Sequence, residues 1–285
     1  MKVIWQGRIV DRMEVQIDLE DRGYQFGDGI YEVIRVYNGC LFTGQEHLYR
    51  FFESASKVKM EVPYSSKQIY HMLTSLVEEN QLQEGMIYMQ LTRGVAARNH
   101  LFPSANVSAV LSAYTKELSR PLELMENGVK AITVEDIRWL HCDIKSLNLL
   151  GNVLARQSAH EAGCFEAIQH RNGTVTEGSA SNITIVVNEK VITHPANRFI
   201  LNGIVRQVML HACMSHNIKC EERAFTVKEL LNADEVFMTN TTSEITPIVE
   251  VDGMIIGNGI LGPITKKLQT YYKEEIQKQC GSNCL

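Results

Sequence analysis

The segment Thr115-Lys-Glu-Leu-Ser-Arg-Pro-Leu122 is polar, contains a proline and separates two halves that each carry dense hydrophobic patterning. Proline removes a backbone donor and charged side chains keep a segment in water, so the stretch reads as an inter-domain linker. A chain of 285 residues is long enough for two hydrophobic cores. Residues 1–114 are therefore expected to form an N-terminal α+β domain, residues 115–122 the linker, and residues 123–285 a C-terminal domain.

On the N-terminal side, short strands open the chain. Ile30 to Tyr37 is rich in β-formers, and Asn38-Gly39 before Cys40-Leu41-Phe42 is a two-residue hairpin signal. Thr43-x-x-Glu46 has the form of a capping box, and Leu48, Phe51, Phe52, Ala55 and Val58 follow with helical period. A second helix fits Ile69, Met72, Leu73, Leu76 and Val77, ending near Gly85; Met86 to Thr92 and Val107 to Tyr114 read as strands. Beyond the linker, Val129 to Glu135 reads as a strand and Leu149 to Glu161 as a helix stopped before Gly163. Strands are expected between Glu166 and Thr193, and a helix from Gly203 carrying Ile204, Val208, Leu210, His211 and Met214. Thr226-x-x-Glu229 caps a short helix, Glu235 to Thr239 is a strand, Val249 to Ile256 a hairpin turned at Asp252-Gly253, and Ile264 to Ile276 a closing amphipathic helix. Strands and helices mix without a regular βαβ alternation, which points to an α+β fold in two domains.

Composition narrows the function. Hydrophobic residues make up 45% and charged residues 21%, values of an ordinary folded chain. Asp and Glu outnumber Lys and Arg by 33 to 28, for a net charge of −5, and no basic block stands out. That argues against nucleic acid and for a small-molecule partner. No run approaches the roughly 20 apolar residues that span a bilayer, so no membrane is expected. The opening Met1-Lys-Val-Ile-Trp-Gln-Gly7 lacks a secretory pattern, and a cytoplasmic location is expected. Seven cysteines, an odd number, favour thiols over a disulfide framework, and their spacing does not suit a metal site. The tail Cys280-Gly-Ser-Asn-Cys-Leu285 is expected to be mobile.

Few residues stand out for chemistry on their own. Lys145 sits in Asp143-Ile-Lys-Ser-Leu-Asn-Leu-Leu150, an apolar-leaning stretch. An amine drawn into such surroundings loses its proton more easily and becomes a nucleophile for a carbonyl, but a lysine at a strand end also commonly snorkels to water. Glu177, in the polar Thr174-Val-Thr-Glu-Gly-Ser-Ala-Ser-Asn182, is expected in a loop, where it could pair with a protonated ring nitrogen or simply be solvated. Gly27-Asp28-Gly29 is a weak glycine signal. Arg93-Gly94 through Arg98-Asn99-His100 places cations and an imidazole in one expected loop, suited to a carboxylate or to water. His47, His71 and His211 read as structural.

Five blocks taken together carry more. They are Asp21-Arg-Gly-Tyr-Gln-Phe-Gly-Asp-Gly-Ile-Tyr-Glu32; Arg93 to His100; Glu135-Asp-Ile-Arg-Trp139 leading into Asp143-Ile-Lys-Ser-Leu-Asn148; Thr176-Glu-Gly-Ser-Ala-Ser-Asn182; and Thr239-Asn-Thr-Thr-Ser-Glu-Ile-Thr-Pro247. In this order and spacing the chain resembles the class IV, fold-type IV pyridoxal-phosphate enzymes, and within them the D-amino-acid-specific aminotransferases of bacilli. The resemblance runs from about residue 3 to about residue 275.

It implies pyridoxal 5'-phosphate as cofactor, held mainly by the 123–285 domain. Lys145 would join the cofactor aldehyde and then move the proton between the substrate α-carbon and the cofactor. Glu177 would pair with the ring nitrogen and Leu201 pack against the ring. Arg50, the backbone N–H groups of Ile204 and Val205, and the Thr241 hydroxyl would bind the phosphate. Val205 and Asn240 stand where small hydroxyl residues are more usual; Val205 keeps its N–H but lacks a side-chain donor, so a somewhat weaker hold on the phosphate is expected. Tyr31, Arg98 and His100 would hold the substrate α-carboxylate, with Arg98 and His100 reaching in from the neighbouring subunit of a homodimer. The substrates implied are D-amino acids, with D-alanine, D-glutamate and D-aspartate foremost, and 2-oxo acids. Three readings compete with this one. Two are from the same class: a branched-chain L-aminotransferase and an aminodeoxychorismate lyase. The third is a folded binding protein with an eroded site.

Overall fold

Strand patterning before residue 119 resolves into one antiparallel sheet in the structure, a computed structural model that describes residues 1–281. Two compact units are present. The first holds Met1–Ser119, Ile144–Asn148 and the described residues from Ile276 on; the second holds Arg120–Asp143 and Leu149–Glu275.

The first unit begins with β1 (Lys2–Trp5), β2 (Arg8–Asp11), the short α1 (Arg22–Phe26), β3 (Gly29–Tyr37) and β4 (Cys40–Leu41). The helices α2 (Gly44–Lys57) and α3 (Ser66–Glu79) follow, then β5 (Gly85–Thr92) and β6 (Val110–Glu117). The strand order is β2-β1-β6-β5-β3-β4, with every neighbour antiparallel. Asn38 and Gly39 both take positive φ, at 53° and 71°, and turn β3 into β4 as a tight hairpin. Leu48, Phe51 and Ala55 of α2 and Ile69, Leu73 and Leu76 of α3 bury their faces against Ile34, Ile87, Met89 and Leu91 of the sheet. Apolar residues at i, i+3 and i+4 meeting alternate residues of strands is the geometry the sequence periodicity demands.

Several expectations need correction. Thr43 does not close a capping box: it is left-handed, and its hydroxyl donates to the Phe42 carbonyl. Its backbone N–H donates instead to Gln279 Oε1. The second helix ends at Glu79, and Gly85 begins a strand. The first part of the expected linker is structured, because Thr115, Lys116 and Glu117 complete β6 opposite Ile87, Met86 and Gly85. Lys116 and Glu117 are exposed there, so the polarity that suggests a linker is the wet end of a strand.

The second unit runs α4 (Leu122–Asn127), β7 (Val129–Glu135), α5 (Leu150–Glu161), β8 (Glu166–Arg171), β9 (Thr174–Gly178), β10 (Asn182–Val187) and β11 (Lys190–Thr193). It continues with α6 (Ile204–Ser215), β12 (Cys220–Glu222), α7 (Val227–Leu231), β13 (Glu235–Asn240), β14 (Glu244–Val251), β15 (Met254–Ile255) and α8 (Pro263–Cys280). Among the described residues its sheet has the order β12-β11-β10-β13-β14-β7-β8-β9, with β15 on β14. Parallel pairs at β11/β12, β14/β7 and β7/β8 make the sheet mixed. Thr226 and Glu229 cap α7 reciprocally, as the sequence suggests.

Glu177 lies on β9 and is buried, not in a loop: Thr176, Glu177 and Gly178 complete a strand whose polar residues point inward to partners. Helix α8 extends to Cys280, so this residue belongs to a helix and not to a mobile tail. Cys280 is buried with its Sγ 2.7 Å from Cys40 Sγ, and its carbonyl accepts from Asn38 Nδ2. Cys284 lies outside the described residues. Among those described, no helix is long and apolar enough to cross a membrane.

Candidate active site

Alternation along β3 sorts its side chains onto two faces. Tyr31 falls on one, stacked on Tyr88 with ring centroids 5.7 Å apart, and Tyr88 in turn stacks on Tyr114 at 5.3 Å. The segment Ile144–Asn148 runs alongside the start of the same strand: Tyr31 N donates to Lys145 O at 3.0 Å and Leu147 N to Gly29 O at 3.0 Å. This brings Lys145 Nζ to 4.2 Å from the centre of the Tyr31 ring. Two candidates far apart in sequence are thus neighbours, with a half-buried amine over an aromatic face.

The opposite face of β3 carries Glu32, fully buried. It accepts from Arg50 Nε at 2.7 Å and Nη2 at 2.9 Å, and meets His47 Nδ1 at 2.8 Å. His47 and Arg50 stand one turn apart on α2 and so face the same way. Burial raises the Glu32 carboxyl, but Arg50 and His47 outweigh it and hold the group well below the usual carboxylate range. Burial also pushes the His47 imidazole below its ordinary value, against the pull of Glu32. Arg50 is therefore presented by a carboxylate the sequence reading left unassigned.

Arg98 and His100 lie exposed in the loop between β5 and β6, in the same unit as Tyr31, Arg50 and Lys145. Arg93, grouped with them by the sequence, is buried and spent on Asp28 and on the carbonyls of Val58 and Lys59.

The second unit carries Glu177, Leu201, Ile204, Val205 and Thr241. Glu177 Oε1 accepts from Arg138 Nη1, and Oε2 from Asn182 Nδ2 at 3.1 Å and Leu201 N at 2.9 Å. Arg138 is shared: its Nε and Nη2 donate to Asp136 at 2.9 and 2.8 Å. Asp136 also accepts from Arg171 Nε and Thr176 Oγ1. Burial pushes the Glu177 carboxyl above its ordinary value, with Arg138 pulling the other way and Asp136 adding to the rise. Asp136, raised by burial but more strongly lowered by Arg138 and Arg171, falls to about 2.

Asn182 also donates to the Leu201 carbonyl at 2.8 Å, and a Cβ on Gly203 would collide with Asn182 Oδ1. Any side chain at that position would push Asn182 off its bonds to Glu177 and Leu201. Among the described residues no side chain caps α6, which begins at Ile204 and Val205, so its first N–H groups point outward with the positive end of the helix dipole. Thr241 sits in the β13–β14 turn, whose shape Asn240 sets by accepting from Thr242 N and Ser243 N at 3.0 and 2.6 Å. Asn240, a departure in the sequence, is therefore a turn-former.

Arg138, Glu32 and His47 were not singled out by the sequence as site residues. Arg138 lies in a quoted block, but nothing local reveals that its fork spans two carboxylates.

Residues 29–251 match the family model described as amino-transferase class IV. The D-alanine aminotransferase of Staphylococcus aureus (strain MSSA476) is 49% identical over 276 residues, covering 97% of this chain and 98% of that one. The D-alanine aminotransferase of Bacillus licheniformis is 48% identical over 276 residues, covering 97% of each. Among solved structures, the Escherichia coli branched-chain amino acid aminotransferase is similar with a TM-score of 0.90 at 26% identity, covering 94% of this chain and 92% of that one.

Proposed function

We infer the activity of this chain from one premise: it belongs to the class IV aminotransferases. Within that family it is a pyridoxal-phosphate-dependent D-amino-acid aminotransferase, moving the amino group of D-alanine and other D-amino acids to 2-oxoglutarate to give pyruvate and D-glutamate. The observation that carries this reading is 48–49% identity to D-alanine aminotransferases over 97% of the chain, against 26% to the branched-chain structure.

The residues of each unit fit the cofactor's chemistry. An uncapped helix start at Ile204 and Val205 suits a phosphate. A buried Glu177 whose charge is incompletely compensated gains from a cationic ring nitrogen. When bound, pyridoxal phosphate supplies an aldehyde for an amine and a ring that accepts the electron pair released with the α-proton.

The chain's own groups do the rest. Lys145 Nζ anchors the cofactor and then moves a proton to and from the substrate α-carbon. Glu177 keeps the ring nitrogen protonated, with Arg138 and Asn182 fixing its two oxygens and Leu201 packing on the ring. Arg50, the N–H groups of Ile204 and Val205, and the Thr241 hydroxyl hold the phosphate, Arg50 with its orientation set by Glu32. Tyr31, Arg98 and His100 hold the substrate α-carboxylate, and fixing it decides which enantiomer offers its hydrogen to Lys145.

The working form is a homodimer in the cytoplasm. Leu101 and Phe102, next to His100, are 74% and 58% exposed, which supports burial of that loop by a second copy. The odd cysteine count supports a reducing compartment.

The test is an enantiomer-resolved assay of the holoenzyme with 2-oxoglutarate. Turnover of D-alanine and not L-leucine is expected, and the reverse preference would replace this reading with a branched-chain one. Borohydride reduction followed by peptide mapping is expected to place the pyridoxyl group on Lys145; any other lysine would remove that assignment.

A further inference from the structure

We propose that Arg22 and Phe26 are positioning residues for the substrate carboxylate, holding Arg98 and His100 in place through a buried guanidinium and an aromatic face. The inference rests on the reading of Arg98 and His100 as the carboxylate-binding pair.

The loop that carries this pair is stitched to α1 and the turn after it. Asp21 caps α1 by accepting from Gly23 N at 2.8 Å, and its other oxygen accepts from Thr92 Oγ1 at 2.8 Å. Arg22 N donates to Gly94 O at 3.0 Å, and Ala96 N to Glu20 O at 3.3 Å. Beyond Ala96 the regular pairing stops, and Arg98, Asn99 and His100 are exposed.

Arg22 reaches this exposed stretch. Its side chain is buried and anchored by Nε to Asp28 Oδ2 at 2.8 Å, a carboxylate that also accepts from Arg93. From that anchor Nη1 donates to the Asn99 carbonyl at 2.7 Å. Asn99 lies between Arg98 and His100, so one buried donor fixes the backbone from which both side chains leave.

Phe26 fixes the side chains. The guanidinium of Arg98 lies 4.5 Å from the centre of its ring, that of Arg22 4.8 Å, and the His100 ring 5.5 Å at a tilt of 49°. Among the described residues no carboxylate or carbonyl pairs with the Arg98 side chain. The manner of holding matters. A carboxylate partner would neutralise Arg98 and occupy its N–H fork, whereas a ring face attracts the cation through its quadrupole and takes no donor. Arg98 is thereby oriented while its charge and fork stay available for an anion, and bidentate carboxylate recognition needs that fork.

The test uses the holoenzyme and D-alanine. Phe26→Leu and Arg22→Lys are each expected to raise KM about tenfold, with kcat within about twofold and the cofactor absorption unchanged, as loss of ground-state orientation predicts. Phe26→Tyr keeps the ring face and is expected to restore KM to within about twofold. In a double-mutant cycle Phe26→Leu should add less than its full effect once Arg98→Ala is present, since it acts in part through Arg98 and in part through His100. Full additivity with Arg98→Ala would overturn the inference, as would an unchanged KM in both Phe26→Leu and Arg22→Lys while Arg98→Ala raises it. An unchanged KM in Arg98→Ala itself would overturn the carboxylate-pair reading and this inference with it. Arg22→Lys keeps the charge beside Asp28 and so gives an answer even if Phe26→Leu fails to fold.

Discussion

Glu32 and Glu177 look alike locally: each is a buried strand carboxylate bonded to an arginine. They are nevertheless displaced in opposite directions, Glu32 well below the ordinary carboxylate range and Glu177 above it. Burial pushes both carboxyls up, and the difference is in the charges that oppose it. Arg50 gives Glu32 two donors, and His47 adds a third. Glu177 also accepts three donors, but only the one from Arg138 is charged, the others being Asn182 Nδ2 and Leu201 N, and Arg138 spends two more on Asp136, whose charge repels Glu177. A carboxylate met by two nitrogens of one guanidinium and by an imidazole is a structural clamp. A carboxylate sharing a cation with a competitor is left to gain from a further positive charge, which is what a protonated cofactor ring offers.

That contrast can be broken at several points. The largest effect is expected from Glu177→Gln, which should lower kcat by about 10²–10³-fold, the range for loss of a preorganised charge. Its resistance to urea should change little, because Arg138 keeps Asp136. Glu32→Gln should show the reverse weighting: removing one partner of a buried pair leaves Arg50 uncompensated, at about 3 kcal/mol of unfolding free energy. Chemical denaturation of both variants decides the matter, and a Glu177→Gln protein less stable than Glu32→Gln would defeat the contrast.

Asp136 supplies a proton-linked effect of smaller size. Its carboxyl is depressed from 3.8 to about 2 in the folded chain, so the stabilisation is complete above 3.8 and is lost as pH falls through about 2. Asp136→Asn lacks that linkage, and the stability difference from the parent should shrink across this window in acid-unfolding measurements. The smallest effect is expected at Asn240, where Asn240→Ala removes the turn bonds to Thr242 N and Ser243 N and should cost about 1 kcal/mol of stability, read by urea unfolding.

Much of this architecture is legible in the chain itself. Asn38-Gly39 specifies a tight hairpin because two consecutive residues tolerant of positive φ leave few alternatives. Thr226 and Glu229 specify a helix start because each bonds the other's backbone within one turn. The order and spacing of five motif blocks point to the class IV family, to pyridoxal phosphate and to Lys145. Local rules mislead where a local pattern has a non-local partner. Thr43 resembles a cap, yet its N–H is claimed by Gln279 from the far end of the chain. Thr115 to Glu117 resembles a linker, yet finds strand partners in Gly85 to Ile87.

The sequence by itself determined the periodicities, the turns and the family, since these depend on neighbours within a few residues or on motif order. Only the tertiary structure decided that Glu32 clamps Arg50, that Arg138 divides its fork between Asp136 and Glu177, and that Arg98 rests on Phe26. The charge state of a buried group depends on distances through space and on exclusion of water, and neither is written in the spacing of residues along a chain.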